Sequence, residues 1–428
     1  MVRSGIVAVS GVEGAGEKAF LAAAQIQHRG TESYGIVTRE DTPAGPRYHE
    51  KVGLGYIKSG IARRDLEGLR GNSAIAVVSS SLNPELYSSA DQRYAMAADL
   101  GLEDQDEFRK RVIGKSGYIG NPKNLESESV AAWLYSGLCD ESGLAAALRN
   151  IPGIYSLVWM LGDNVGAAKS GHLPLCLGEL DSGIIFTSES RTLDALGAKY
   201  LRELEAGEII TARENALNFN RVQSSGVPCS DEILSRLWKD SLAFGRATAH
   251  EICEALGQRL AERFRPDADV VVPIPYSGVS AAFGYARGRG LPIERAFVNY
   301  DYAGDDRIAR NGLRIERLNV VKGSVEGKSI VVVDDMTLSG NSLRRVQLLD
   351  SAKEIYVALA SPEVTYPCQW KRFENVHMIS AAHKPEGIRD MINKNGNVKE
   401  VAFLSHDDFR DVFGELGITT ACMECMRC

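Results

Sequence analysis

Val331-Val332-Val333-Asp334-Asp335-Met336-Thr337-Leu338-Ser339-Gly340-Asn341-Ser342 decides how the second half of this chain is read. An apolar run delivers two adjacent carboxylates, and a loop of small and hydroxyl-bearing residues follows. Apolar periodicity resumes near Leu343–Leu349, which reads as a helix. Ligands of open α/β sheets bind beyond the carboxyl ends of the strands. The backbone amides of Ser339, Gly340, Asn341 and Ser342 are therefore expected to face a phosphate at the helix start. Asp334 and Asp335 then fall to ribose hydroxyls, directly or through Mg²⁺. A strand–turn–helix with an acidic N-cap and no ligand is the alternative that this stretch alone leaves open.

Working outward, the same pattern recurs. Val270-Val271-Val272-Pro273-Ile274-Pro275 is a second continuous apolar strand, followed by a helix near Ser280–Arg287, and Glu354–Ala360 is a third strand. Continuous apolar strands alternating with helices predict a parallel sheet covered on both faces. A long amphipathic helix is expected over roughly Asp231–Phe264. Upstream, Asn215–Pro228 is largely polar and reads as a linker. The first 212 residues differ in style. Strands at Gly5–Val9, Ala74–Val78, Tyr155–Leu161 and Ile184–Phe186 are interspersed with helices at Ala15–Gln27, Val130–Gly137 and Leu144–Arg149, which predicts a layered α+β domain.

Composition bounds the function. The 428 residues suggest two or three domains. Hydrophobic residues make up 44% and charged residues 25%, as in soluble globular proteins. No apolar run approaches the ~18 residues of a membrane span, and no secretory signal is legible, so a cytoplasmic protein is expected. The net charge of −7 argues against a general nucleic-acid or anionic-membrane binder, while leaving room for a local phosphate pocket.

Three of the eight cysteines crowd the end of the chain as Cys422-Met-Glu-Cys425-Met-Arg-Cys428. Such spacing lets thiolates converge on one metal or cluster. Zinc would need all-thiolate ligands, as no His lies near them. A four-ligand set using all three tail residues needs a distant Cys, and a tail with spare thiols stays open as well.

At this point the residues resemble a known family, the glutamine phosphoribosylpyrophosphate amidotransferases. The loop at Asp334 looks like the 5-phosphoribosyl-1-pyrophosphate (PRPP) signature of type I phosphoribosyltransferases. The similarity runs nearly end to end. Gln27-His28-Arg29-Gly30-Thr31-Glu32-Ser33-Tyr34-Gly35-Ile36 is similar to the family's "QHRGQESAGI", Gly153-Ile154-Tyr155-Ser156-Leu157 to "GAYSL", and Pro273-Ile274-Pro275-Tyr276-Ser277-Gly278 to "PVPDSG". Pro174–Gly178, Thr187–Ser190 and Gly207–Ile210 also fit.

The resemblance implies an N-terminal class II glutamine amidotransferase domain, an αββα sandwich of the Ntn-hydrolase type, over 1–212. A linker over 213–232, a type I phosphoribosyltransferase domain with a parallel sheet over 233–400 and a cysteine-bearing segment over 401–428 follow. It implies Ser277 and Gly278 at pyrophosphate, Mg²⁺ at the diphosphate, and a homo-oligomer. It also implies a 4Fe-4S cluster held by Cys229, Cys368, Cys422 and Cys425, all four of which match the family's ligand positions. Cys428 is left over, and Cys139, Cys176 and Cys253 read as small buried hydrophobes.

Departures from the family concentrate in the first domain. The family's glutaminase uses a processed N-terminal Cys; here Ser4 stands at that place, behind Met1, Val2 and Arg3. A Ser hydroxyl is far less ionised than a thiol and needs a well-placed base. Val78 replaces the family's glutamine-binding Arg, and Ala98-Asp99-Leu100 replaces the "HNG" oxyanion segment. An ionised Asp99 cannot donate to an oxyanion. These changes predict a retained fold without glutamine hydrolysis. The transferase half keeps Asp334 and Asp335 but carries Tyr276 and Ser339 where the family has Asp and Arg, and a shorter segment with Arg307, Arg310, Arg314 and Arg317. Two functions are expected: phosphoribosyl transfer to ammonia, from solution or a supplying partner, or to another amine; or a silent iron–sulfur paralogue sensing PRPP or nucleotide. Redox or sulfur chemistry at the cluster is a third, lesser reading.

Overall fold

The computed structural model describes residues 4–88, 94–116, 126–135, 141–213, 216–224, 229–299, 318–368, 378–418 and 422–426. The chain forms two compact units. One is Met1–Pro228 with Ser241–Gly245 and Trp370–Arg372, and the other is Cys229–Asp240, Arg246–Gln369 and Phe373–Cys428.

The first unit contains thirteen strands among its described residues outside Ser241–Gly245: β1 Ser4–Ser10, β2 Ser33–Thr42, β3 Gly45–Leu54, β4 Ser73–Ser79, β5 Leu86–Ser88, β6 Tyr94–Leu102, β7 Gly153–Leu161, β8 Asn164–Ser170, β9 Cys176–Leu180, β10 Gly183–Thr187, β11 Lys199–Glu203, β12 Glu208–Arg213 and β13 Ala216–Arg221. They build a seven-stranded sheet, β11-β9-β10-β1-β4-β2-β3, and a six-stranded sheet, β13-β12-β8-β7-β6-β5. Helices α1 Ala15–Gln25, α2 Gln105–Ser116, α3 Glu126–Tyr135 and α4 Glu141–Arg149 cover the outer faces.

Side-chain alternation along each strand explains the layering. In β1, Ile6 and Ala8 join Ala95, Ala97, Val158 and Met160 between the sheets. Val7 and Val9 face the other way, onto Ala15, Ala19, Ala22 and Ala23 of α1. In β6, Tyr94, Met96, Ala98 and Leu100 pack with Phe108, Val130, Leu134 and Leu148 of the opposite helical layer. Both strands are therefore buried on both faces, which is why β1 reads as a continuous apolar run. The result is a four-layer αββα sandwich. Part of the stretch expected as linker is structured, since Ala216–Arg221 pairs along Glu208–Arg213 as an edge strand. Its polar, exposed residues suit an edge and hide the strand from periodicity.

The second unit is an α/β fold around four parallel strands in sequential order, β14 Val270–Pro273, β15 Ser329–Asp334, β16 Glu354–Leu359 and β17 Val398–Phe403. Helix α6 Val279–Arg289 packs on it, and α5 Ala249–Arg263 packs on α6. The single helix expected over Asp231–Phe264 does not form. Glu232–Arg236 makes one π-helical turn, Leu237 is extended, and a turn at Phe244 and Gly245 has φ of 53° and 63°. Helix α5 starts afresh at a capping box, where Thr248 Oγ1 accepts from the Glu251 amide and Glu251 accepts from the Thr248 amide. The stretch after the carboxylates also differs from expectation. Leu343–Leu348 is a 3₁₀ helix rather than an α-helix, so a phosphate there would meet loop amides and not a long helix dipole.

Among the described residues, no helix is long and apolar enough to cross a membrane.

Candidate functional site

The carboxylate pair sits where the sequence places it, at the carboxyl end of β15. Asp334 and Asp335 are almost fully buried. Asp334 Oδ1 accepts from Ser277 Oγ at 2.6 Å and from the Asp335 amide at 3.0 Å. Its Oδ2 is buried without a hydrogen bond of good geometry, although the Ser342 hydroxyl is near enough to favour the charged carboxylate. Asp335 Oδ1 accepts from the Met336 amide at 2.8 Å, and Oδ2 lies 3.1 Å from Lys239 Nζ. Burial first, then the charge on Asp335, push the Asp334 carboxyl well above the usual carboxylate range. Lys239 moves the opposite way to a lone buried amine. Burial would lower it, but Cys253 and Asp335 outweigh burial and raise it. The Cys253 thiol, fully buried, is pushed up to about 11 by burial despite Lys239.

Backbone geometry brings the neighbouring predicted residues to this pair. Gly278 approaches β15 so closely that a Cβ there would stand 2.3 Å from the Val333 carbonyl. Gly340 has φ of 72°, and a Cβ would fall 2.4 Å from Ile379 Cδ1. Tyr276, exposed and with φ of 69°, holds a conformation unusual for a bulky residue. Ser277 is thus tied to Asp334, while Ser339–Ser342 form the loop turn that precedes the 3₁₀ helix. Arg307, Arg310, Arg314 and Arg317 lie outside the described residues.

Direct coordination of Mg²⁺ by the two aspartates does not fit this arrangement. Mg²⁺ demands octahedral oxygen ligation, whereas Asp334 Oδ1 already accepts two hydrogen bonds and the Lys239 ammonium lies 3.1 Å from Asp335 Oδ2, where it opposes a second cation. Lys239 and Cys253 were not marked by any local sequence pattern, because Lys239 meets Asp335 across 96 residues.

Two of the four predicted cluster cysteines, Cys229 and Cys425, are buried, and Cys368 and Cys422 are partly so. All four belong to the second unit. Cys229 pairs with Cys422 in an isolated parallel bridge, and Ser230 Oγ donates to the Cys422 carbonyl at 2.8 Å. Thr365 and Tyr366, just before Cys368, donate their amides to the Cys425 carbonyl at 2.9 and 3.1 Å. The thiols feel one another. Burial, Asp231, Cys368 and Cys422 push Cys425 up to about 12, and burial, Asp231, Glu232 and Cys368 raise Cys229. Among the described residues, no three Cys, His, Asp or Glu side chains stand close enough to hold a single metal ion. Cys176 and Cys253 are buried as expected; Cys139 and Cys428 lie outside the described residues.

In the first unit, Ser4 and Asp99 do come together, and the contact is not that of a nucleophile with an oxyanion donor. The Ser4 amide donates to Asp99 Oδ1 at 3.3 Å, and Ser4 Oγ donates to Ser79 Oγ at 3.4 Å. Among the described residues, no amine or imidazole hydrogen-bonds the Ser4 hydroxyl, which is buried. Asp99 Oδ2 lies 3.8 Å from Arg29, whose Nε donates to Glu189 Oε1 at 2.5 Å. His28 and Ser241 also hydrogen-bond Glu189, at 2.8 Å each. Burial would raise Glu189, but Arg29, His28 and the Ser241 hydroxyl outweigh it and hold the carboxyl at about 2. Val78, at the family's Arg position, is fully buried under α1.

No family model matches the chain. Amidophosphoribosyltransferase of Bacillus subtilis is 26% identical over 449 aligned residues, covering 99% of this chain and 92% of that protein. The enzyme of the same description from Methanocaldococcus jannaschii is 27% identical over 438 residues, covering 93% of this chain and 91% of that one. Among solved structures, B. subtilis glutamine PRPP amidotransferase complexed with ADP and GMP superposes with a TM-score of 0.86 at 26% identity, covering 99% of this chain and 95% of that chain. A structure described as the allosteric regulatory enzyme of purine biosynthesis gives the same figures.

Proposed function

Because this chain belongs to the amidophosphoribosyltransferase family, we propose that it binds PRPP at Asp334–Ser342 and transfers the phosphoribosyl group to ammonia or another amine, without hydrolysing glutamine. The observation that carries the reading is the carboxylate pair at the end of a parallel strand, with the Ser277–Gly278 turn bound to it. In the reaction the amine nitrogen forms a bond to ribose C1, the bond from C1 to the diphosphate oxygen breaks, pyrophosphate leaves with the electron pair, and the nitrogen loses a proton. Asp334 orients the ribose, the loop amides and hydroxyls of Ser339, Asn341 and Ser342 bind the 5′-phosphate, and Ser277 and Gly278 line the diphosphate. Mg²⁺ in this reading arrives with the diphosphate as part of the substrate.

The N-terminal site supports the loss of glutaminase chemistry. A carboxylate contacts the Ser4 amide where the family has an oxyanion donor. While residues 1–3 remain attached, the Ser4 nitrogen is an amide and has no basic lone pair. Pyrophosphate release from PRPP by protein purified without oxygen, supplied in turn with ammonia and with glutamine, tests both parts. Release with ammonia alone is the expected result; release with glutamine refutes the reading of Ser4 and Asp99.

One observation favours a second reading. Both carboxylates are buried and Asp335 is already neutralised by Lys239, as suits a site that senses PRPP or a nucleotide without turnover. Ligand-dependent stabilisation with no pyrophosphate release under any amine supply selects it.

We propose that the four cysteines hold a 4Fe-4S cluster. Buried thiols raised by their own neighbours are stable as thiolates only beside a cationic centre, and a multi-iron cluster holds its ligands farther apart than a single ion does. Bound, the cluster supplies a structural crosslink among three chain segments. Cys229→Ser is expected to lower iron and sulfide content and to abolish visible absorption of anaerobically purified protein; unchanged iron content rejects the assignment.

A further inference from the structure

Lys239 is a cation that no motif of the sequence announces, yet it stands directly behind the carboxylate pair. Its Nζ lies 2.8 Å from the Leu234 carbonyl, 3.2 Å from Cys253 Sγ and 3.1 Å from Asp335 Oδ2. An ammonium has three donors, so all are committed and the side chain is anchored in one direction. Leu234, on the π-helical turn, and Cys253, on α5, come from the same unit as Asp335. The anchor is therefore built from elements packed around the site and not from the strand that carries the aspartates.

We propose that Lys239 is a positioning residue of the ligand site: a built-in cation that fixes Asp335, keeps a divalent ion off that carboxylate, and leaves Asp334 Oδ2 as the oxygen that accepts a ribose hydroxyl. The last clause rests on the phosphoribosyl ligand proposed above; the first two do not. Asp335 Oδ1 accepts from the Met336 amide, and the Lys239 ammonium at Oδ2 repels a second cation from the same carboxylate. Asp334 Oδ1 is taken twice, by Ser277 and the Asp335 amide. Asp334 Oδ2 alone is buried without a bond of good geometry. A buried acceptor left in this state is costly unless a ligand or a proton satisfies it. A divalent ion at Asp335 would have to displace that ammonium, which two other partners hold, or bind against its charge.

The test uses the full-length protein with K239M, K239R and D335N. Mn²⁺ alone is titrated first, with free Mn²⁺ read by paramagnetic resonance. The wild type is expected to show no Mn²⁺ site that D335N removes. K239M is expected to gain one, lost again in the K239M/D335N pair, while K239R gains none. PRPP binding is then measured by calorimetry with and without Mg²⁺. Without a divalent ion K239M is expected to bind roughly ten- to a hundredfold more weakly, the range of a charge-assisted hydrogen bond, and Mg²⁺ recovers part of the loss; K239R stays close to wild type. A wild-type Mn²⁺ site that D335N abolishes, or K239M binding PRPP like wild type with the same Mg²⁺ dependence, overturns the proposal. Should wild type not bind PRPP at all, the phosphoribosyl reading and the role given to Asp334 fall, and the Mn²⁺ titrations still decide the role of Lys239. If K239M does not fold, K239Q carries the same two readouts.

Discussion

Arg29→Met will lower the free energy of unfolding by about 3–5 kcal/mol, the usual cost of breaking a buried ion pair from one side. The guanidinium, with its side chain 4% exposed, stands between Asp99 and Glu189, whose side chains are 3% and 0% exposed. Its removal leaves two carboxylates in the interior with His28, Ser241 and the Ser4 amide as their remaining named partners. Ionised carboxylates in that setting take up protons or admit water, and either outcome loosens the sandwich around β1 and β4. Urea denaturation at neutral pH measures the loss. Acid titration adds a second signature. Glu189 is held at about 2 in the folded protein, against about 4.3 for an unperturbed Glu. The folded state therefore binds fewer protons than the unfolded state between those values. The stability that Glu189 contributes is complete above about 4.3 and is lost as pH falls towards 2. In Arg29→Met the Glu189 carboxyl rises and this acid limb disappears. A variant within about 1 kcal/mol of wild type, with its acid limb intact, would show that the network is not what holds this part of the sandwich together.

Replacing Asp334 by Asn will reduce PRPP-dependent pyrophosphate release about a hundredfold, roughly the cost of leaving a buried hydrogen-bonding group without its partner. The amide keeps the shape and can still accept from Ser277, so the fold survives. Its Nδ2 is a donor and cannot accept from a ribose hydroxyl as Oδ2 does. Asp335→Asn should damage turnover through a different route, by releasing Lys239 from its 3.1 Å contact. Kinetics on both variants, with thermal unfolding as control, separates the two. Full turnover in Asp334→Asn would remove this pair from the transferase reading and leave the sensing role.

The sequence carried much of this because its strongest signals are local. β15 ends in its two carboxylates within one contiguous stretch, and strands buried on both faces, such as Ser4–Ser10 and Ser329–Asp334, announce themselves as unbroken apolar runs. Local signals also misled. The spacing of apolar residues after Asp231 is helical, but the turn at Phe244–Gly245 and the capping box at Thr248 override it. The polar edge strand Ala216–Arg221 has no apolar face for periodicity to find.

What the sequence by itself determined is the order of motifs, the family they resemble, the carboxylate pair, the cysteine set and the substitutions at Ser4, Val78 and Asp99. Only the tertiary structure decided what surrounds them. Asp99 meets the Ser4 amide across 95 residues, Lys239 meets Asp335 across 96, and Ser230 meets the Cys422 carbonyl across 192. The physical reason is that a charge or thiol acquires its meaning from burial and from the partner it meets there. Both are set by how distant segments pack, and no window along the chain contains them.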